Sequence, residues 1–259
     1  MILRSVTKHV KDQNWFAIIL DLLIVVFGVF IGMQVSNWNE NLESQRVANK
    51  YLKRLVNDLH YEKKSYQNTM SYFETVLSYT NSALEGYKKP MTELGVDFLI
   101  DHYQASHTQE VPARRGTYDE LLATGRIEFI SNEKTRKAIS NFYETSGGRY
   151  ITMRRNTHLP YRTLIRMQMD ETIQMNIRKH CGDIFNVEEE GVYHIELPST
   201  CEISVPNSLI RQDVEKILSN DNIKQALRLK QSALFTLINS LNNGVNTVDI
   251  ALKTLEEVN

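Results

Sequence analysis

Cys181 and Cys201, with His180 and His194 near them in the chain, are the side chains best suited to chemistry. Thiolates and imidazoles together could hold a zinc ion. Zinc sites favour ligand pairs spaced C-x-x-C or H-x-x-x-H, and neither pairing occurs here. A disulfide is the favoured reading; free thiols and a metal site are the alternatives. The cysteines flank a segment, DIFNVEEEGVYHIELPST, that reads as a small hairpin. Phe185 and Val187 stand on one side of the turn-like Glu188-Glu189-Glu190-Gly191, and Val192, His194 and Ile195 on the other. A bond closing such a loop of about 20 residues contributes about 3 kcal/mol in the loop-entropy account. The 7 histidines show no catalytic spacing. No nucleophile elbow, phosphate loop, HExxH or dinucleotide glycine fingerprint is present. The expectation is therefore a protein that is not an enzyme, with no cofactor and no metal.

Charge gives little more. Arg114, Arg115, Arg126 and Arg136 invite an anion-binding reading, but Glu120, Glu128 and Glu133 lie near enough to pair with them, and a salt-bridged surface is favoured. Tyr118 and the Phe142-Tyr143 pair read as helix core. A net charge of −1 supplies no electrostatic drive toward nucleic acid, which is excluded as a partner.

The strongest signal is the apolar run FAIILDLLIVVFGVFIGMQV, Phe16 to Val35. As a helix of about 20 residues it spans about 30 Å, the thickness of a bilayer's hydrocarbon core. It exceeds the apolar stretch of a cleaved signal, and no small-x-small cleavage site follows, so an uncleaved signal-anchor is expected. Trp15 and Trp38 bracket it at the two headgroup levels. Asp21 inside the run is costly to insert and points to a partner or to hydration near the interface. Gly28 and Gly32 form a small-xxx-small pair that allows close helix approach. Gln34 lies only loosely in the sector of Asp21. Asn37, Trp38, Asn39 and Glu40 end the run as an interfacial anchor or a recognition motif. Arg4, Lys8 and Lys11 precede the run, while the first cations after it are Arg46, Lys50, Lys53 and Arg54. That asymmetry favours a cytoplasmic N-terminus. The expected organisation is a cytoplasmic tail (1–14), a transmembrane helix (15–36) and an extracytoplasmic helical domain (37–259).

After the run the pattern is helical. Steps of four and three from Trp38 give a seam through Leu42, Gln45, Asn49, Leu52, Val56, Leu59, Lys63, Tyr66, Met70, Phe73, Leu77, Thr80 and Leu84, a heptad stripe that is imperfect at its start. Lys88-Lys89-Pro90 stops it. No Gly or Pro lies between Gly32 and Gly86, so span and stripe form one rod. The stripe suits a coiled-coil dimer or, as the later helices favour, one arm of an intramolecular bundle. A short helix is expected over Met91 to Ser106. Thr117 with Glu120 forms a capping box, and Gly125 fits the C′ position of that helix. Ser131 caps the next helix, which Gly147-Gly148 interrupts. Helix resumes from Tyr150 to about Lys179, kinked at Pro160. The last two helices run over about Asn207–Ser219 and from Asp221 to near the end. The fold class is all-α: one N-terminal transmembrane helix continuing into a long helix, then an elongated helical bundle with a small cysteine-flanked hairpin.

Two stretches carry a family resemblance. GVFIGMQVSNWNE, Gly28 to Glu40, with Asp21 as the acidic residue earlier in the run, resembles the signature of a domain-of-unknown-function family of bacterial single-span membrane proteins. TYDELLATGRIEFISNEKTRKAISNFYE, Thr117 to Glu144, is similar to the central pattern of the same family. The resemblance implies membership and no activity.

Together these readings give a membrane-anchored helical interaction protein, a scaffold or accessory subunit, with the body in the periplasm and the anchor in the inner membrane. Its partners would be the lipid bilayer and either a membrane protein or a second copy of the chain. The alternative is an extracytoplasmic ligand-sensing module working through a partner membrane protein. A phosphatase fused after Asn259 is expected to be active and a reporter that works only in the cytoplasm dark; the reverse pattern overturns this orientation.

Overall fold

The computed structural model describes residues 15–110, 113–187 and 193–257. Its first element, α1 (Trp15–Gly86), is a single helix of 72 residues, about 108 Å long at 1.5 Å per residue. Two halves of α1 meet different surroundings. Among the described side chains, none before Ala48 is buried, and between Trp15 and Trp38 all but Ile18 and Asp21, which are half-buried, are exposed. This part is long and apolar enough to cross a membrane. From Ala48 onward α1 is the axis of a helical bundle.

Three rows with a seven-residue period make the buried face of α1: Leu52, Leu59, Tyr66, Phe73 and Thr80; Leu55, Glu62, Thr69, Val76 and Ala83; Tyr51, Asp58, Ser65, Tyr72 and Tyr79. The expected seam is right for the first row and one residue late for the second. Val56, Lys63, Met70, Leu77 and Leu84 are only half-buried flank. The true second row escapes an apolar pattern because it contains a carboxylate, a hydroxyl and a methyl group.

The main partner of this face is α8 (Asp221–Glu256), which runs antiparallel to α1. Lys63 pairs with Asp249 at 2.7 Å near one end, and Gln231 donates to Asn81 at 2.7 Å near the other. Gly244 lets the helices approach: a Cβ there would stand 3.0 Å from the Tyr66 ring and from Arg149 Cδ. The heptad stripe is thus satisfied within one chain. At the far end of α1, a Cβ on Gly86 would collide with the Phe98 ring, so glycine is required where α2 (Val96–Gln104) folds back. The helix expected over Met91 to Ser106 is divided: a 3-10 turn, Met91–Glu93, precedes α2.

α3 (Gly116–Ala123) begins one residue before the expected cap, so Thr117 is buried in its first turn and Arg115 occupies the cap position. Gly125 takes φ 66° after the helix, as its C′ role requires. A 3-10 turn, Arg126–Phe129, leads to α4 (Glu133–Thr157). Asn132, not Ser131, caps α4 by accepting from the Thr135 amide at 3.1 Å. α4 runs through Gly147 and Gly148 without a break. Each interior glycine costs about 1 kcal/mol against alanine. Burial of Ile139, Phe142, Tyr143, Ser146, Arg149 and Met153 along one face offsets that cost. Pro160 does not kink a helix. It occupies the first turn of a new one, α5 (Pro160–Gln168), where its missing N–H costs nothing. α6 (Glu171–Cys181) follows, capped by Asp170.

β1 (Ile184–Val187) and β2 (Tyr193–Glu196) pair antiparallel, with Ile184 opposite Glu196 and Val187 opposite Tyr193. The expected turn at Glu188 to Gly191 lies outside the described residues. Cys181 and Cys201 form a disulfide with Cα atoms 5.5 Å apart. It consumes both thiolates that a metal site would need. Hydrogen bonds fasten this unit to the bundle: Tyr72 Oη donates to Asp183 (2.9 Å), Tyr79 Oη to the Pro198 carbonyl (2.7 Å) and Gln104 Nε2 to the Cys181 carbonyl (2.8 Å). α7 (Asn207–Leu218) then leads into α8.

Replacing both cysteines by serine is expected to lower unfolding free energy by about 3 kcal/mol, the loop-entropy value for this separation. Urea denaturation of the detergent-solubilised protein measures it. Full thiol labelling of unreduced, denatured parent protein would refute the bond.

Candidate functional site

Two places on α1 carry the residues of interest. The first is the bare half. On a helix with 3.6 residues per turn, Asp21, Gly28, Gly32 and Asn39 fall within about 20° of one line. A Cβ on Gly28 or Gly32 would meet nothing within 4 Å. Gln34 falls about 140° from that line, so its expected loose alignment with Asp21 does not hold. Asn37, Trp38, Asn39 and Glu40 are exposed, and α1 continues through them without a turn.

The second place lies on the buried face of α1, about 30 Å beyond Trp38 at 1.5 Å per residue. Asp58, Glu62 and Tyr66 occupy successive helical turns, i, i+4 and i+8. The corner before α3 lies against them. Asp58 Oδ1 meets Arg114 Nε at 3.1 Å, and Glu62 accepts the Arg114 backbone N–H. Asp58 is 7% exposed and Glu62 2%. From the other side comes Arg149 of α4, 8% exposed. Arg149 and Tyr66 both bear on the buried Glu62 carboxyl, favouring its charged form. The Arg149 guanidinium also lies 5.4 Å from the Tyr66 ring centroid and 5.7 Å from that of Phe142.

The cluster is incompletely satisfied. Asp58 Oδ2, the Tyr143 hydroxyl and Nε and Nη2 of Arg149 have no hydrogen-bond partner among the described residues. Burial pushes the Glu62 carboxyl above its usual range, against the Arg114 amide, Tyr66 and Arg149, which hold it down. Burial also drives the Tyr66 and Tyr143 hydroxyls far up, so both stay protonated.

Around the cluster, Arg115 donates to the Tyr143 carbonyl at 2.7 Å and meets Asp119 at 3.2 Å. Tyr118 stacks on Tyr143 with centroids 4.4 Å apart and planes 9° from parallel. These aromatics are core, as expected. The expected arginine pairings form differently. Arg114 goes to Asp58 and Arg126 to the Tyr51 hydroxyl at 2.9 Å, while Arg136 donates to the Ile130 and Ser131 carbonyls. Glu120 instead receives Arg54 at 2.8 Å and Tyr51 at 2.6 Å, and these hydrogen bonds hold its carboxyl below the usual range. Glu133 pairs with Lys137 at 2.6 Å. Sequence reasoning missed Asp58, Glu62 and Arg149. The available signal was two carboxylates four residues apart, each seven residues from inward-facing positions: Asp58 from Tyr51 and Ser65, Glu62 from Leu55 and Thr69.

A third group of polar residues joins α2, the disulfide unit and α8. His107 Nδ1 meets Asp183 at 3.2 Å, and Asp183 also receives Tyr72. Lys230, 2% exposed, donates to the His107 carbonyl at 3.1 Å, and burial pulls its ammonium down to about 8. The Arg166 guanidinium stacks 3.2 Å over the Tyr103 ring. His107 Nε2 has no hydrogen-bond partner among the described residues, and the His107–Asp183 contact ties the segment after α2 to the disulfide unit.

Residues 21–165 match a family described only as being of unknown function. The chain belongs to DUF6090. The matched region begins at Asp21 and ends at Ile165 in α5, so it contains the bare half of α1 and the Asp58–Glu62–Arg114–Arg149 cluster. The disulfide unit, α7 and α8 lie beyond it. No curated protein and no solved structure matches the chain.

A raised carboxyl pKa fixes the sign of the pH response. The folded state holds the Glu62 proton more tightly than the unfolded state, so this contribution is complete below the ordinary carboxyl pKa of about 4.3 and is lost as pH rises through the raised value. Glu62→Gln is expected to abolish that loss, so the stability of the variant relative to the parent increases with pH across this window. Urea midpoints over a pH series measure it; parallel profiles would count against a titrating Glu62.

Proposed function

We propose that this protein is a non-enzymatic, membrane-anchored interaction protein, with α1 crossing the bilayer and the bundle held outside the cytoplasm. The observation that carries this reading is the continuity of α1. The bare apolar half and the axis of the bundle are one hydrogen-bonded helix from Trp15 to Gly86. A helix of this kind transmits a shift or rotation at one end to the other, which a flexible tether would absorb. The disulfide supports an oxidising surrounding for the body.

The span supplies a surface for a second helix. Gly28 and Gly32 lie on one line with Asp21 and leave the backbone open to close approach, and packing of small residues is what draws helices together in lipid. The partner is a membrane protein or a second copy of the chain, and the protein acts as a scaffold or accessory subunit.

Gly28→Ile and Gly32→Ile are expected to reduce recovery of cross-linked species from membranes, because the larger side chains hold backbones apart. Asp21→Leu is expected to ease insertion by removing the carboxylate's transfer cost and to weaken the same complex. Val29→Leu, off this line, serves as the control. If all variants, and a span replaced whole by an unrelated one, cross-link like the parent, the span is only an anchor.

A further inference from the structure

The outward side of α8 is unlike the rest of the bundle surface. Charged residues make up 24% of the chain, yet 18 successive residues of α8, Gln231 to Val248, contain none. Only the run from Leu22 to Asn39, in and just after the span, is free of charge over the same length. A helix side turned to water ordinarily mixes charged residues with polar ones. Here two rows with a seven-residue period are exposed throughout: Leu229, Thr236, Asn243 and Ile250; Ser232, Asn239 and Asn246. Steps of three and four join them into one seam about 32 Å long. The inward rows of α8 are covered by α1 and α4, so this seam is a second one on the same helix. Phe235, 51% exposed, stands beside it.

The make-up of the seam points to what covers it. A helix that meets its own copy along a two-fold axis sets each seam residue against the same residue. A charge on that line would face its like, which is costly in an interface. A neutral amide or hydroxyl both donates and accepts, so it is complementary to itself. The seam holds three asparagines and two hydroxyls, with an aliphatic side chain at each end, Leu229 50% and Ile250 66% exposed. Asp249, where charge resumes, is taken up by Lys63 of α1. The continuity of α1 supplies the second condition. Span and bundle are one helix, so two copies in one bilayer hold their α8 helices parallel and at the same height. Parallel pairing in register is what self-complementary residues require.

We propose that a second copy of the chain docks on this face, α8 against α8, parallel and in register. The inference rests on the reading that α1 crosses the membrane. Asparagine in the seam of a parallel helix pair fixes register and copy number at a cost in stability. The contact is therefore weak between free molecules and is supported by confinement of both copies to one membrane, which raises their effective concentration.

Disulfide cross-linking of the full chain in isolated membranes tests it. Cys181 and Cys201 are bonded to each other, so an added thiol has no partner within its own chain. Like residues on the seam of such a pair lie within disulfide reach. Asn239→Cys and Asn246→Cys are expected to give dimers under mild oxidation, and Ser71→Cys, on the exposed side of α1, is expected not to. With Asn246→Cys as the reporter, Asn239→Glu and Asn239→Lys are each expected to lower the dimer yield about tenfold, through like charges meeting at the two-fold. Membranes holding both charge variants together are expected to recover it, because unlike charges then meet. Asn239 is exposed, so these substitutions leave the bundle intact. Cross-linking at 239 and 246 no greater than at 71, or no recovery on mixing the two charges, would overturn the proposal; a foreign partner on this face gives that result. Alkaline extraction of the same membranes separates this failure from that of the anchored reading. A parent chain retained in the pellet without cross-linking refutes the α8 contact alone, whereas a parent chain released into the supernatant overturns both.

Discussion

The α1–α8 contact is the interaction on which the other elements depend. α1 must bury three rows of side chains, and α8 is the element long enough to cover them. The remaining helices fill the flanks: α2 folds back at Gly86, α3 and its corner close over Asp58 and Glu62, and α4 lies along α8. The close approach at Gly244 brings Tyr66 and Arg149 together at the middle of this contact. Leu55, Leu59 and Val76 on one helix and Leu234, Leu241 and Val248 on the other are each within 1% of complete burial. Each such side chain contributes about 1.5–3 kcal/mol in transfer terms, an upper estimate against a compact unfolded chain.

Buried charge sits within this apolar contact. Ion pairs taken out of water give little net stability, since desolvation offsets attraction, and removing one partner leaves the other exposed to that penalty. Asp58, Glu62 and Arg149 therefore do not strengthen the bundle as hydrophobic residues would. Their geometric role is specific: Asp58 holds the side chain of Arg114 and Glu62 its backbone, so two adjacent turns of α1 fix the position of one corner. The start of α3 is placed by that corner.

Much of this was legible in the chain. The ends of α1, α7 and α8 follow from Pro90, from the gap between Leu218 and Asp221, and from long apolar periodicity, because these signals are local. The cysteine-flanked hairpin follows from its alternation and turn residues. Errors arose where a distant element outweighed a local preference. Gly147 and Gly148 stay helical because α4 is packed along its length. Asn132 replaces Ser131 as cap by a shift of one residue that sequence pattern does not resolve. The cluster at Asp58 was hidden for a different reason. Polar residues facing inward look like a solvated face until their partners from α3 and α4 are in place, and the partners lie far away in sequence.

The pairing of an early helix with a late one also bears on how the protein is made. Asn81 and Gln231, which hydrogen-bond across the α1–α8 contact, are 150 residues apart in the chain. During synthesis the inward rows of α1 are finished long before their cover exists. Contacts of such sequence separation form slowly, and the uncovered apolar surface is open to wrong partners meanwhile. The disulfide unit is different: its 20-residue loop closes locally and needs only α6 and the strands. Assembly thus has a natural order, with local units first and the clasp of α8 on α1 last, and a ribosome that stalls before α8 leaves a nascent chain whose core has no second wall.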